Sequence, residues 1–159
     1  MGERFLLQLA PPDLAEERDR ILAAVRSVAP QAEVLEVGST AIAGVIGKQD
    51  LDLLVRVVPA EFVRTRALLD SAFARDAQQL SNDRYQGYRV ASSVDAALQL
   101  TVRGCEYDRF TLFLDALRED PALVRAYNAL KRRWHGRPMA DYRAAKAAFI
   151  ESVLEAASR

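Results

Sequence analysis

The chain has 159 residues, half of them hydrophobic, so it can bury the core of about one domain and is not intrinsically disordered. Its 22 basic and 22 acidic side chains balance, so net charge gives no strong signal for nucleic-acid binding. The single cysteine excludes an intramolecular disulfide and a cysteine cluster for zinc.

The cellular location is predicted from what the sequence does not contain. No stretch approaches the ~20 apolar residues of a membrane span. The apolar run near the N-terminus, FLLQLA, is too short for a signal peptide. With a lone cysteine, which fits a reducing compartment, these features predict a cytoplasmic protein without a membrane partner.

The first predicted elements are a helix and two strands. A helix begins after Pro11-Pro12-Asp13 and ends before Pro30, because apolar residues recur between them at helical spacing. A strand then runs from Glu33 to Gly38-Ser39. A second strand, from Asp50 to Val58, is apolar on both faces, so we expect it to be central and covered.

The rest of the chain predicts further strands followed by helices. A helix opens at Pro59, two weak strands lie at 78–80 and 88–91, and a stronger strand covers 97–103. Three helices, beginning near Asp108, Pro121 and Asp141, complete the chain. We therefore predict one domain over residues 1–159, with a sheet core over about 30–105 and C-terminal helices over about 108–157.

Asp50 and Asp52 are the candidate metal ligands. Alternate residues of a strand share a face, with Cα atoms roughly 6.5–7 Å apart. Two carboxylates this close resist joint ionisation unless a cation lies between them. Mg²⁺ (or Mn²⁺) suits them, because it takes oxygen ligands from one or two carboxylates together with substrate phosphates.

Gly38 and Ser39 are the candidate phosphate-binding residues. Glycine at a strand end permits close backbone approach, and free N–H groups at the start of a following helix attract anions. A second interpretation is purely structural: Ser39 is a helix cap, Gly38 a turn residue, and the aspartates a solvated strand entry.

This stretch carries a family resemblance. Gly-Ser after a strand, ten residues, then Asp-x-Asp on the next strand resembles the DNA polymerase β-like nucleotidyltransferase superfamily. The longer string GSTAIAGVIGKQDLD is similar to the GrpB family pattern, approximately GSTAVPGLPAKPIIDI. Asp50 departs from that pattern, which usually has an apolar residue there. The similarity continues through FLDALREDP, YNALK and YRAAKAAFI, and so covers about Glu33 to Ile150.

The resemblance implies an α+β fold of the polymerase β-like nucleotidyltransferase type: a mixed sheet with flanking helices and a helical C-terminal segment that closes a nucleotide cleft. It also adds Lys48, Lys131 and Lys146, which occupy family lysine positions, as candidate nucleotide-binding residues. Residues 121–150 hold seven of the basic residues and one acid. For such a run, ordinary helix-surface lysines are the alternative explanation.

Catalysis is the open question. Polymerase β-like enzymes normally take a third carboxylate from a strand beside Asp-x-Asp, but here that strand reads LQLTV. Gln99 and Thr101 are expected to face the same cleft as the aspartates, and Asp95 lies upstream. The sequence thus predicts a minimal nucleotidyltransferase that binds a Mg-nucleoside triphosphate, with an unknown hydroxyl acceptor. The alternative is a catalytically weak or inactive nucleotide-binding or protein-interaction module.

Overall fold

A computed structural model describes residues 2–159, which fall into two compact units. The sheet unit comprises residues 11–38 and 50–109, and the helical unit comprises residues 2–10, 39–49 and 110–159. The prediction of a single domain stays a prediction.

The sheet unit contains five strands and two helices. The strands are β1 (Glu33–Val37), β2 (Leu51–Val57), β3 (Ala74–Arg75), β4 (Tyr85–Arg89) and β5 (Ala96–Val102). The helices are α1 (Leu14–Val28) and α2 (Phe62–Asp70), and a 3-10 turn over Pro59–Glu61 precedes α2. The strand order is β1-β2-β5-β4-β3, with β2 parallel to β5 and every other pair antiparallel.

One face of the sheet forms the core of this unit. Leu51, Leu53, Val55 and Val57 alternate along β2 and pack with residues of β5, α1 and α2 in one buried cluster. The opposite face of β2 carries Asp52, Leu54 and Arg56. Burial of the first face pins the register, because a one-residue slip would move the apolar set to the wrong side.

The helical unit contains α3 (Arg109–Glu119, apart from its first residue), α4 (Pro121–Trp134) and α5 (Met139–Ala157). Phe113 meets the Tyr127 ring edge-on at 5.1 Å, and Tyr127 stacks on Phe149 at 5.5 Å. The N-terminal arm belongs to this unit, since Phe5 stacks on Tyr142 at 3.7 Å. No helix within residues 2–159 is apolar over a length that would cross a bilayer.

The expected α+β class, with its mixed sheet, is confirmed, and most element boundaries lie within two residues of the predictions. Two predicted strands were misplaced. Residues 78–80 form no strand, and the strand expected at 88–91 occupies Tyr85–Arg89 instead. The sequence there is polar and lacks a clear period of two, so hydrophobic alternation could not locate the strand.

Candidate functional site

Gly38 and Asp52 lie against each other at the end of β1. Val37, the last residue of β1, pairs with Asp52. Gly38 follows with φ +89°, and a Cβ placed on it would lie 2.6 Å from Asp52 Oδ2. Only glycine combines this backbone conformation with the space that the carboxylate occupies. The two halves of the predicted motif therefore meet within the sheet unit.

Asp50 directly precedes β2, and a backbone irregularity sets its position. Gln49 has φ +64°, an uncommon conformation for a residue with a side chain. Leu51 N then donates to Asp95 O at 2.8 Å, which fixes the start of the strand beside the start of β5. Asp50 and Asp52 thus flank a fully buried leucine, and both aspartates are partly exposed.

The residue of β5 level with Asp52 is Ala97. In the parallel register Asp52 pairs with Ala97, Leu54 with Gln99 and Arg56 with Thr101. Gln99 lies one pair further along the same face and is partly exposed. Thr101 lies on this face too, but it is fully buried and donates to Arg84 O at 3.0 Å.

No third carboxylate joins the two aspartates. Within the described part of the chain, no three His, Cys, Asp or Glu side chains are arranged to hold one metal ion. The Asp95 carbonyl accepts from Leu51 N, and Asp95 is exposed. The residue of β5 that is level with Asp52, Ala97, carries no carboxylate.

Ser39 belongs to the helical unit, where it lies near Gly47 and Lys131. A Cβ placed on Gly47 would meet Ser39 Oγ at 2.6 Å and Lys131 Nζ at 3.1 Å. The helix expected after Ser39 is only a 3-10 turn, Ser39–Ala41. It is too short for an N-terminal anion site, so the expectation of helix N–H groups is wrong at this point.

Residues 44–47 form hydrogen bonds with α4 and with the N-terminal arm. Asn128 Oδ1 accepts from Ile46 N at 3.0 Å, and its Nδ2 donates to Gly44 O at 2.8 Å. Gln8 N donates to Gly47 O at 3.0 Å. Sequence reasoning missed Asn128, although its spacing of three from Lys131 in YNALK puts both on one helix face.

The three candidate lysines have different surroundings. Lys131 is 3% exposed, donates to Ile46 O at 2.8 Å and lies 4.4 Å above the Tyr127 ring, so it is not the surface lysine of the alternative explanation. Lys146 is partly buried, 5.3 Å from the Phe110 ring centre. Lys48 is one-third exposed and lies 3.9 Å from Glu3.

Tyr85 is a further residue that sequence reasoning missed. It lies on the Asp52 face of the sheet, because it pairs with Thr101. Burial, followed by the charges of Asp52 and Asp76, raises the pKa of the Tyr85 hydroxyl to about 12. The phenol is therefore neutral and able to donate at physiological pH, within the electrostatic field of Asp52.

Comparison with known proteins agrees with the motif. Residues 10–156 match the GrpB protein family. A UPF0157 protein of Vibrio cholerae is 34% identical over 131 residues, covering 82% of this chain and 70% of the relative. The crystal structure of the conserved protein GrpB from Enterococcus faecalis superposes with a TM-score of 0.68 at 20% identity, covering 96% of each chain.

Solved structures of RNA uridylyl transferases are less similar to this chain. For Cid1, described by its RNA terminal uridylyl transferase activity, the TM-score is 0.49 at 17% identity, over 79% of this chain and 41% of that chain. The family assignment rests on residues 10–156 and on the Vibrio cholerae relative. The chain belongs to the GrpB family.

Proposed function

We propose that this protein is a minimal nucleotidyltransferase-like protein of the polymerase β-like superfamily and that it binds a Mg-nucleoside triphosphate. The observation that carries the proposal is the contact between Gly38 and the Asp52 carboxylate. Gly38 has positive φ and packs against an aspartate at the mouth of a buried strand, and this close backbone approach is what would bring phosphate beside carboxylate oxygens.

Asp50 and Asp52 would hold the divalent cation. Their oxygens are hard ligands of the kind that Mg²⁺ or Mn²⁺ takes, and phosphate oxygens and water can complete such a shell. A cation bound there would neutralise charge on the phosphates during transfer. Asp50 and Asp52 would themselves orient that cation and keep the acceptor hydroxyl in line with the α-phosphorus.

Within the helical unit, Ser39 and Lys131 are proposed as nucleotide-binding residues in their own right. Ser39 Oγ and Lys131 Nζ both approach Gly47, where the lack of a side chain leaves room. Lys131 Nζ donates to Ile46 O at 2.8 Å. Lys48 and Lys146 are proposed as supporting cations. A cytoplasmic location is proposed from the single cysteine.

A second candidate function is nucleotide binding, or protein interaction, without transfer. Ala97 favours it, because it occupies the position level with Asp52 on the neighbouring strand and carries no ionisable group. A third carboxylate would assist proton transfer from the acceptor, a role worth roughly 10²–10⁴-fold in rate. Slow or absent transfer to simple acceptors is therefore expected for the wild-type chain.

The test is calorimetric titration of nucleoside triphosphates with Mg²⁺ and with EDTA. Asp52→Asn should weaken Mg-dependent binding at least about 10-fold, or ~1.4 kcal/mol, because it removes a charged oxygen ligand and leaves the shape of the side chain. Asp83→Asn, at an aspartate whose side chain is 87% exposed, is the matched control. Equal nucleotide affinity with Mg²⁺ and with EDTA would remove the metal from the proposal.

A further inference from the structure

The Asp52 face of the sheet continues into a group of uncharged polar side chains. Across β5 and β4, Gln99 pairs with Gly87, and Tyr85 lies two residues before Gly87 on the same face. Gln99 and Tyr85 are both partly exposed. This surface lies within the sheet unit and is not used by the nucleotide or metal site proposed above.

Gln79 completes this surface by lying over Gly87. A Cβ on Gly87 would be 2.5 Å from Gln79 Cβ, so the glycine makes room for the loop between β3 and β4. Tyr85 Oη donates to Gln79 Oε1 at 3.3 Å, which brings the phenol hydroxyl towards the row of Gly87 and Gln99. We call Gln79, Tyr85 and Gln99 the polar shelf.

The polar shelf lies about as far from Asp52 as a sugar-sized acceptor is long. Asp52 pairs with Ala97 on β5, and Ala97 pairs with Arg89 on β4. Gly87 is two residues before Arg89, so it lies two strands away from Asp52 and two residues further along. Strand spacing and rise make this separation on the order of 12 Å between Cα atoms. Ala97, which pairs with Asp52 on the neighbouring strand, has a small side chain.

The side chains around the polar shelf are mostly acidic, which disfavours binding of a phosphorylated acceptor. Asp52, Asp95 and Asp76 are acidic, and the one guanidinium level with Asp52 across the sheet, Arg89, already lies 3.7 Å from Asp76. The sheet unit as a whole contains eleven arginines, no lysine and fifteen carboxylates. Where no bound cation neutralises it, such an acidic field repels phosphate groups and accepts neutral or amine-bearing groups.

We propose that the polar shelf binds the acceptor and that this acceptor is a polyhydroxyl compound without phosphate groups, namely a sugar or a nucleoside. The amides of Gln79 and Gln99 each offer both donors and acceptors, and the Tyr85 hydroxyl does the same, which matches vicinal hydroxyls. This inference rests on the proposed nucleotidyl transfer.

The test is ¹⁵N-resolved NMR titration of the whole chain without metal or triphosphate, so it does not depend on nucleotide binding. The probes are glucosamine and adenosine, each compared with its phosphorylated counterpart, glucosamine 6-phosphate or adenosine 5′-monophosphate. One or both unphosphorylated probes should shift the amide signals of Gln79, Tyr85 and Gln99, and their phosphorylated forms should bind several-fold more weakly. Which probe binds distinguishes a sugar from a nucleoside.

Variants localise the effect. Tyr85→Phe and Gln79→Ala should each raise the Kd about 3–10-fold, the effect of one hydrogen bond, whereas Gln78→Ala, at the exposed neighbour of Gln79, should not change it. Equal or tighter binding of the phosphorylated probes, shifts confined to other residues, or no shift with any probe would overturn the proposal. Shelf binding combined with failed Mg-nucleotide calorimetry would leave the shelf intact and refute the nucleotidyltransferase instead.

Discussion

Asp52 and Arg56 lie on the same face of β2, four residues apart, and their surroundings differ. Arg56 makes a two-point contact with Asp108, Nε to Oδ1 at 2.7 Å and Nη2 to Oδ2 at 2.6 Å, and its Nη1 donates to Glu33 at 2.8 Å. At the other end, Asp52 lies beside a glycine and an alanine. Ion pairs surround Arg56, whereas the residues next to Asp52 on the neighbouring strand and at the end of β1 are an alanine and a glycine.

The Arg56 end also has a cavity, which is not a phosphate site. A space of about 540 Å³ is lined by Arg56, Arg64 and Arg103 among other residues. Arg64 lies 3.4 Å from Glu61, and Arg103 Nη2 lies 2.9 Å from Glu33. These guanidinium groups are already matched by carboxylates, so the cavity offers little net attraction to an anion. Charge spacing in the sequence does not distinguish this end from the Asp52 end.

The largest expected effect comes from breaking the Arg56 end. Asp108→Asn should lower the free energy of unfolding by about 3–5 kcal/mol, because it leaves the guanidinium of Arg56 partly buried without its main partner. The side chain of Asp108 is 5% exposed, so water cannot replace the contact. Urea denaturation followed by circular dichroism measures this loss.

The control for that loss is an exposed ion pair. Arg84→Gln removes a guanidinium that lies 2.8 Å from Glu106, with both side chains about half exposed. Such pairs contribute about 0–1 kcal/mol, so the variant should change stability little. If Asp108→Asn and Arg84→Gln lowered the free energy of unfolding by similar amounts, the ion pairs of Arg56 would contribute no more to stability than an exposed ion pair does.

The second prediction converts the Asp52 end towards a full catalytic set. Ala97→Asp places a carboxylate level with Asp52 on the adjacent strand, where it can hold the metal or take the acceptor proton. Basal nucleotidyl transfer should rise about 10²-fold, or ~2.7 kcal/mol in activation free energy. Pyrophosphate release across nucleotides and hydroxyl acceptors is the measurement.

The control for Ala97→Asp is the same change to aspartate at the next residue of β5 on this face. Gln99→Asp adds the same charge one pair further along, level with Leu54, and should raise transfer less than Ala97→Asp. Arg89, which pairs with Ala97 from the other side, can compensate the new charge during folding. Wild-type turnover of ~1 s⁻¹ or above, or a larger gain from Gln99→Asp, would show that another group completes the site.

The sequence predicted the Asp52 end better than the Arg56 end, for a physical reason. Gly38, Ser39, Asp50 and Asp52 are close in sequence, and strand periodicity alone predicts that the two aspartates share a face. The Arg56–Asp108 contact joins residues 52 positions apart. Only the parallel pairing of β2 with β5 brings them together, and periodicity does not specify that register.

Local sequence pattern also did not predict the position of several residues near Asp52. Gln79 and Tyr85 belong to a polar stretch without a clear period of two, and a close approach at Gly87 brings them onto the Asp52 face. The position of Ala97 beside Asp52 likewise follows from the register. Lys131 was predicted as a residue, but its burial beside Ile46 depends on the packing of residues 44–47 on α4.

The third prediction tests the close contact at the Asp52 end. Gly38→Ala should destabilise the protein by about 1–2 kcal/mol, because φ +89° is unfavourable for a residue with a Cβ. It should also displace the Asp52 carboxylate and abolish Mg-dependent nucleotide binding. Thermal unfolding and calorimetry measure the two effects separately.

Gly104→Ala is the matched control for backbone strain. Gly104 also has positive φ, +79°, but a Cβ placed there meets no atom within 4 Å. It should cost similar stability and leave nucleotide binding intact. Retained nucleotide affinity in Gly38→Ala would show that the phosphates bind elsewhere.

The smallest expected effect concerns how the Asp52 end is held as the pH falls. Glu17 on α1 accepts from Arg20 and from Ser92 and Ser93, in the loop that leads into Asp95 and β5. The Arg20 guanidinium, followed by the Ser93 N–H, lowers the pKa of Glu17 from 4.5 to about 2. Since the folded pKa lies below the unfolded one, this contribution to stability is complete above about pH 4.5 and is lost as the pH falls towards 2.

Glu17→Gln should therefore remove part of the fall in stability between about pH 4.5 and pH 2, the window that the lowered pKa of Glu17 defines. Denaturant midpoints at several pH values, compared with wild type, measure the difference. Glu16→Gln, which removes the same charge from the same turn of α1, should retain the wild-type fall. Amide exchange at Ser92 to Asp95 should increase over this window before exchange at Arg56, because the Arg56 end does not depend on Glu17; simultaneous loss of protection at both ends would contradict the difference between them.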